Sequence, residues 1–473
     1  MIKVNNSALY MIGEVIPRIL SILLLPIYTR YFSPDDYGIM SYIDSLIVFV
    51  FMFSILSLNS YVLRTYFEQK NLTEQKKLVG NIFVFIASYN IFTFFFFSFF
   101  LTVLLEILGS EINFLPLVFL ALVANFFETF SIIPLVLLRI NEKAGQFIFY
   151  SLSKTFLQIF LILAFVIILD YGIDGKYYAM ILANFIFALI YIKMMLKESI
   201  LNFYFQQIKS ALKFSLPLVP GAISFVILDI SDRVILEKYV TLEDLGLYSI
   251  AYTLGFGLNV VINGSYRAFE PILFKNFSHH NFLEIFIKIK DSFFALVFFA
   301  ALFLILYSQE VLKIVATDSY FSASYIVPII VLAAIAKGIY MLYAVLAMYG
   351  KNTKIIGLAI MFGAIVNLII NLVFIPKYGV LVAAISTVIS FLLISFIIQV
   401  ISYKYIKLPM FVYVKDYLLL TLFAILTYVL FYKMKIEYST DVTILKTLIF
   451  ILFSLFIKWY YNINFKGLLK NAN

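Results

Sequence analysis

Apolar residues run through this chain in stretches of roughly twenty, each closed by a short interval holding Lys, Arg, Asp, Asn or Gly. A hydrocarbon core about 30 Å thick needs about 20 apolar residues per helix to cross it. On that measure the pattern predicts about fourteen transmembrane helices. They lie near 8–31, 38–63, 78–104, 114–138, 147–169, 176–195, 214–238, 246–269, 291–307, 325–347, 354–375, 379–402, 412–432 and 442–461. No alternation of period two competes with these runs, so the fold class is an all-α polytopic membrane protein. The first run follows only Met1–Ser7 and is longer than a signal-peptide core, with no small-residue cleavage site, so it reads as a retained helix.

The polar intervals carry a second pattern, a duplication. Arg30-Tyr-Phe-Ser-Pro-Asp-Asp-Tyr-Gly-Ile-Met-Ser41 aligns without a gap on Lys238-Tyr-Val-Thr-Leu-Glu-Asp-Leu-Gly-Leu-Tyr-Ser249, at an offset of 208 residues. Asp170-Tyr-Gly-Ile matches Lys377-Tyr-Gly-Val at an offset of 207. These offsets lay spans 1–6 over spans 7–12. Six is even, so both copies start on the same side and form parallel repeats, with the substrate path expected between them. The expected division is an N-lobe over 1–196, a basic amphipathic linker over 197–213, a C-lobe over 214–405, and two further helices with a tail over 406–473.

Composition agrees: 64% of the residues are hydrophobic and 13% charged, against about 25% charged in soluble domains. The net charge of +9 is not a nucleic-acid signal here, because the cations fall in loops between spans. With the N-terminus inside, 23 Lys and Arg residues lie in cytoplasmic segments and 8 in external ones, which predicts both termini in the cytoplasm. Trp459, Tyr460 and Tyr461 beside Lys458 fit an interfacial anchor. The chain has no cysteine, which excludes disulfides, thiolate metal sites and thiol nucleophiles.

Charges inside the spans each cost about 2.5–3.5 kcal/mol on insertion scales and so need a reason. Glu14 and Arg18 are four apart on one face of the first span, acid first. Asp229, Asp232 and Arg233 form a cluster at i, i+3 and i+4 in the seventh span, self-neutralised and suited to gating or lobe contacts. Lys154, Lys337, Asp44 and Glu128 have no opposite charge at helical spacing on their own helices. Two readings stand side by side: charges that pair across helices and glue the bundle, or charges that line a polar cavity. On the second, Arg18, Lys154 and Lys337 suit an anionic head group such as a phosphate, and Glu14, Asp44 and Glu128 suit a coupling ion, H+ or Na+. Pro17 and Pro26, and Pro217 and Pro220, place breaks in the first helix of each copy.

In order along the chain, RYFSPDDYGIMS, SLPLVPGAISFVILDISDRVIL with LEDLGLYSIAYTLG, and NLIINLVFIPKYGVLVAAIST resemble the polysaccharide (Wzx-type, O-unit) flippases. Those belong with the multidrug (MATE) exporters and lipid II flippases in the MOP superfamily. The resemblance implies a V-shaped bundle of two six-helix lobes with a central cavity, and a groove for a polyprenyl tail built by helices 13 and 14. It also implies a substrate, undecaprenyl-diphosphate-linked oligosaccharide moved across the bacterial inner membrane for O-antigen or capsule assembly. Arg18 is the nearest match to an arginine that helps hold the diphosphate in the lipid II branch. Partners implied are the lipid-linked oligosaccharide, membrane lipid, a polysaccharide polymerase and chain-length machinery.

Other classes fit less well. A drug or small-cation exporter of the same architecture would be expected to line its cavity with acids, whereas this chain mixes signs. An enzyme needs a constellation on a sizeable loop, and the longest external one runs only from Gln309 to Ser324. His279 and His280 read as solvated loop residues. Gly350-Lys351-Asn352 lacks the other elements of a P-loop, so ATP hydrolysis is not expected. No cofactor, metal or nucleic acid is expected.

Overall fold

The computed structural model describes Ile16, Leu20 and residues 24–350, 353–434 and 438–461. Among them the chain is helical, with no strand. Thirteen helices are long and apolar enough to cross a membrane. They are Pro34–Ile55, Leu72–Leu108, Phe114–Ile140, Ala144–Ile168, Gly172–Glu198, Phe205–Tyr239, Leu242–Lys275, Phe282–Leu306, Val327–Tyr349, Lys354–Tyr378, Val380–Ser402, Met410–Lys433 and Asp441–Tyr460. Each overlies one of the expected spans 2–14. Most of the first span lies outside the described residues; its last part is the helix Leu25–Tyr31.

One span departs from expectation. The run 38–63 is not continuous: the helix Pro34–Ile55 ends at Leu56 and Ser57, both in the left-handed region (φ 51° and 55°), and Leu58–Thr65 continues as a separate helix. Consecutive left-handed residues cannot extend a right-handed helix, and apolar periodicity carries no trace of such a break. The third span overshoots instead. Leu72–Leu108 has 37 residues, about 55 Å at 1.5 Å per residue, more than the roughly 40–45 Å of a bilayer with its head groups. Its start is capped by Asn71, whose side chain accepts from Glu74 N at 2.9 Å, and its end by the left-handed Gly109. Phe92, Phe95, Phe96, Phe99 and Phe100 stand exposed along it, as a lipid-facing surface requires.

Both sequence echoes have a local cause. Ser33 Oγ accepts from Asp36 N at 3.2 Å and Asp36 Oδ2 from Ser33 N at 2.9 Å, a capping box that starts the helix Pro34–Ile55. At the equivalent positions, Thr241 Oγ1 accepts from Asp244 N at 3.1 Å and starts the helix Leu242–Gly255. The second echo is a turn glycine: Gly172 and Gly379 have φ of 53° and 60°, a conformation open to glycine without strain, and each precedes or opens the next span. Conserving the motif between copies therefore conserves how a helix begins.

Packing divides the chain into two compact units, Met1–Gly246 and Leu247–Asn473. The repeat boundary near 213 and this packing boundary are different things, because Val219–Tyr239 packs along Pro34–Ile55 in the first unit. The linker region holds a helix, Phe205–Ser215, with Ile208, Ala211 and Ser215 buried. Asn81 of the third span clamps its start, accepting from Tyr204 N at 2.9 Å and donating to Gln207 Oε1 at 2.7 Å. Pro217 and Pro220 sit in the 3-10 turn Leu216–Leu218 and the first turn of Val219–Tyr239, where the helical run Phe205–Tyr239 passes from one helix to the next. In the second unit Val327–Tyr349 is the interior helix, packed on Val380–Ser402 and Phe282–Leu306, while Asp441–Tyr460 lies at the rim.

Candidate substrate and ion sites

The first unit holds a cavity of about 300 Å³, whose polar lining is Asp44, Asn125, Glu128, Gln158, Tyr177 and Asn184. The two carboxylates come from the Pro34–Ile55 and Phe119–Glu128 helices. Each meets a lysine from another helix. Lys176 Nζ lies 2.7 Å from Asp44 Oδ2, and the Tyr177 hydroxyl donates to Asp44 Oδ1 at 3.3 Å. Lys154 Nζ donates to Glu128 Oε2, and Ser131 Oγ to Glu128 Oε1 at 3.4 Å. Asn184 Nδ2 donates to Ala124 O at 2.9 Å, leaving its buried Oδ1 as an unfilled acceptor at the wall.

Asp44, Glu128 and Lys154, which lack an opposite charge along their own helices, are thus paired across helices. Lys176 belongs to the Gly172–Glu198 helix and is 7% exposed. In the triad of the seventh span, Arg233 Nη1 donates to the main-chain O of Asp229 at 2.7 Å and lies 3.6 Å from Asp232 Oδ1, with Asp232 1% exposed. Lys337 stands on the interior helix of the second unit, its Nζ 5.3 Å from the Phe256 ring centre and 5.7 Å from that of Phe391, a cation–π setting. Glu14 and Arg18 lie outside the described residues.

Sequence reading missed the most deeply buried cluster. Lys290 Nζ lies 3.1 and 3.3 Å from the Asp416 oxygens and 2.9 Å from Asp291 Oδ1, and Lys415 Nζ lies 3.4 Å from Asp291 Oδ2, so two Lys-Asp dipeptides pair crosswise in one network. The hydroxyls of Tyr343 and Tyr461 donate to Asp416 at 2.9 and 3.0 Å. Lys290 and Asp416 are both 0% exposed. The Lys-Asp dipeptide repeated at the starts of spans 9 and 13 is the sequence signal that marks the cluster. Lys446 is held similarly, 2.9 Å from Glu310 Oε1 and 3.0 Å from Gln309 Oε1. The Asn367/Asn371 pair closes a buried ring: Asn371 Nδ2 donates to Asn367 Oδ1 (3.1 Å), Asn367 Nδ2 to Ser386 Oγ (3.2 Å), and Ser386 Oγ to Asn371 Oδ1 (2.5 Å). Such rings fasten helices where lipid offers no hydrogen bonds.

Helix Met410–Thr427 contributes to one more feature, an apolar groove of about 390 Å³ lined by Ile329, Leu332, Leu381, Ile385, Tyr428 and Tyr432 among others. Thr427 Oγ1 is its one polar atom left buried without a partner among those described.

Residues 4–277 match the family model described as polysaccharide biosynthesis protein, more than half of the chain. The chain belongs to this family. The chain is 22% identical over 281 residues to the Lsg locus putative protein 1 of Haemophilus influenzae, covering 57% of this chain and 66% of that one. It is 23% identical over 294 residues to an uncharacterised membrane protein of the same organism, covering 61% and 68%. Among solved structures, the lipid II flippase MurJ in an inward closed conformation superposes with a TM-score of 0.72 at 17% identity, spanning 95% of this chain and 98% of that one. An inward-facing multidrug resistance MATE family transporter of the MOP superfamily gives 0.65 at 12% identity, spanning 83% and 98%. This polysaccharide biosynthesis protein therefore has the MurJ/MATE-like transporter fold and is a multi-pass membrane protein.

Proposed function

We propose that the chain is a flippase that moves undecaprenyl-diphosphate-linked oligosaccharide from the inner to the outer leaflet of the bacterial cytoplasmic membrane by alternating access. Its product would feed O-antigen or capsule assembly, with a polymerase and chain-length machinery acting after it. The observation that carries the reading is the joint one: membership of a polysaccharide biosynthesis family and likeness over 95% of the chain to a lipid II flippase. The apolar groove beside the Met410–Lys433 helix supports it, since a prenyl tail needs an apolar bed while the sugar passes through a polar one.

In this reading Lys337 and Arg18 bind the diphosphate. Lys154 joins them only when it leaves Glu128, so head-group binding and ion binding at this carboxylate are linked. Asp44 with Lys176 offers the same exchange. A proton suits these sites better than Na+, because a lysine already occupies the described carboxylates. The exporter alternative rests on the carboxylates in the cavity, and the lysines that neutralise them count against it.

Deletion of the gene, followed by leaflet-resolved analysis of lipid-linked sugars, tests the proposal. Oligosaccharide trapped on the cytoplasmic face is the expected result. A normal surface polymer together with altered drug tolerance would replace the flippase by the exporter.

A further inference from the structure

The duplicated motif does more than start two helices: its copies touch each other. A Cβ placed on Gly38 would overlap the Leu242 carbonyl, 3.0 Å from its carbon, and stand 3.2 Å from Gly246 N. One placed on Gly246 would overlap the Pro34 carbonyl, 2.8 Å from its carbon, and stand 3.1 Å from Gly38 N. Pro34 and Leu242 are equivalent in the two copies, and so are Gly38 and Gly246, both at the offset of 208. Each glycine thus receives the carbonyl of the other copy's first helical turn, a self-complementary contact of the kind a two-fold axis produces. Only glycine permits backbones this close. Nearby, Glu237 Oε1 accepts from Ser110 Oγ at 2.5 Å and from Glu111 N at 3.1 Å, tying the end of Val219–Tyr239 to the turn after the third span.

We infer that the Gly38–Gly246 crossing, with the Glu237–Ser110 latch, is the seal that closes the transport path on the motif face of the membrane and that must part for that face to open. This deepens the flippase reading and rests on it in one respect, that the path runs between the repeats. Each copy of the motif heads the second helix of its repeat, so a passage between the repeats on this face has to separate the two copies. The contact suits a reversible seal: it is backbone against backbone, and is specified by two residues that have no side chains to rearrange.

The absence of cysteine makes the test direct. Ser45 lies on the same face of Pro34–Ile55 as Gly38, two turns deeper, and is 3% exposed. In spheroplasts and in inverted vesicles, a Ser45→Cys reporter is treated with a membrane-impermeant maleimide. Gly38→Ala and Gly246→Ala are expected to raise its labelling from the motif face about tenfold, because an added methyl meets a backbone carbonyl that cannot move aside. Separately, the Ser110→Cys/Glu237→Cys pair, which leaves both glycines intact, is bridged with a short bifunctional thiol reagent. Bridging is expected to abolish labelling of the reporter from that face and to stop flipping, and thiol reduction to restore both. Unchanged labelling in well-folded Gly38→Ala and Gly246→Ala variants, or full flipping by the bridged protein, would overturn the inference. The labelling readout needs no substrate. A seal that responds in a strain whose lipid-linked sugars are normal sinks the substrate assignment and leaves the seal standing.

Discussion

Lys337 and Lys154 are both cations within apolar helices, and the proposed function gives them different work. Lys337 has aromatic faces beside it, whereas Lys154 is engaged by Glu128. Lys337→Ala is expected to lower flipping about tenfold, the loss of one charged hydrogen bond to a phosphate, with unchanged protein in the membrane; Lys337→Arg should retain most of the rate. A leaflet-resolved flux assay reads both, and wild-type flux in Lys337→Ala would remove the residue from the binding site. At the backbone, Gly379→Ala should cost about 1–2 kcal/mol because its φ of 60° is left-handed, while Gly145→Ala, with open space around it, should be neutral or mildly stabilising. Thermal unfolding in detergent separates the two. What the sequence hid at this scale was pairing: Lys154 lies 26 residues from Glu128 and Lys176 lies 132 from Asp44. Helical spacing reveals neighbours three or four apart and is silent about partners on another helix.

Helices were legible because a bilayer fixes their length and polarity, so thirteen described spans fell where apolar runs placed them. The break at Leu56 and Ser57 was not, since two left-handed residues leave the hydrophobic pattern intact. Between helices, the crosswise Lys-Asp dipeptides fasten Met410–Thr427 to Phe282–Leu306. Asp416→Ala leaves the buried Lys290 ammonium with Asp291 alone, which Lys415 also engages, and should cost about 3 kcal/mol of stability. The pair Lys290→Met with Asp416→Leu should cost less than Asp416→Ala alone, because it removes both charges together. An equal or larger loss in the double variant, by the same thermal measurement, would refute the cluster's role as a paired unit.

For the whole molecule, the bias of Lys and Arg predicts both termini in the cytoplasm. A fluorescent protein fused after Tyr461 should therefore fluoresce, and an alkaline phosphatase fused there should be inactive; the opposite pattern would invert the topology and move the Gly38–Gly246 crossing to the cytoplasmic face. The cross-pairing inside the second unit also bears on how the chain is made. Lys290 and Asp416 are 126 residues apart, and a ribosome adding about 5–20 residues per second needs about 6–25 s to cover that distance. Throughout that interval Lys290 has its neighbour Asp291, 2.9 Å from its Nζ, but not Asp416, which is still to be synthesised. Biogenesis of this protein is thus completed late: a nascent chain halted before Lys415 and Asp416 holds only half of the buried charge cluster, and quality control has a physical mark by which to tell it from a finished one.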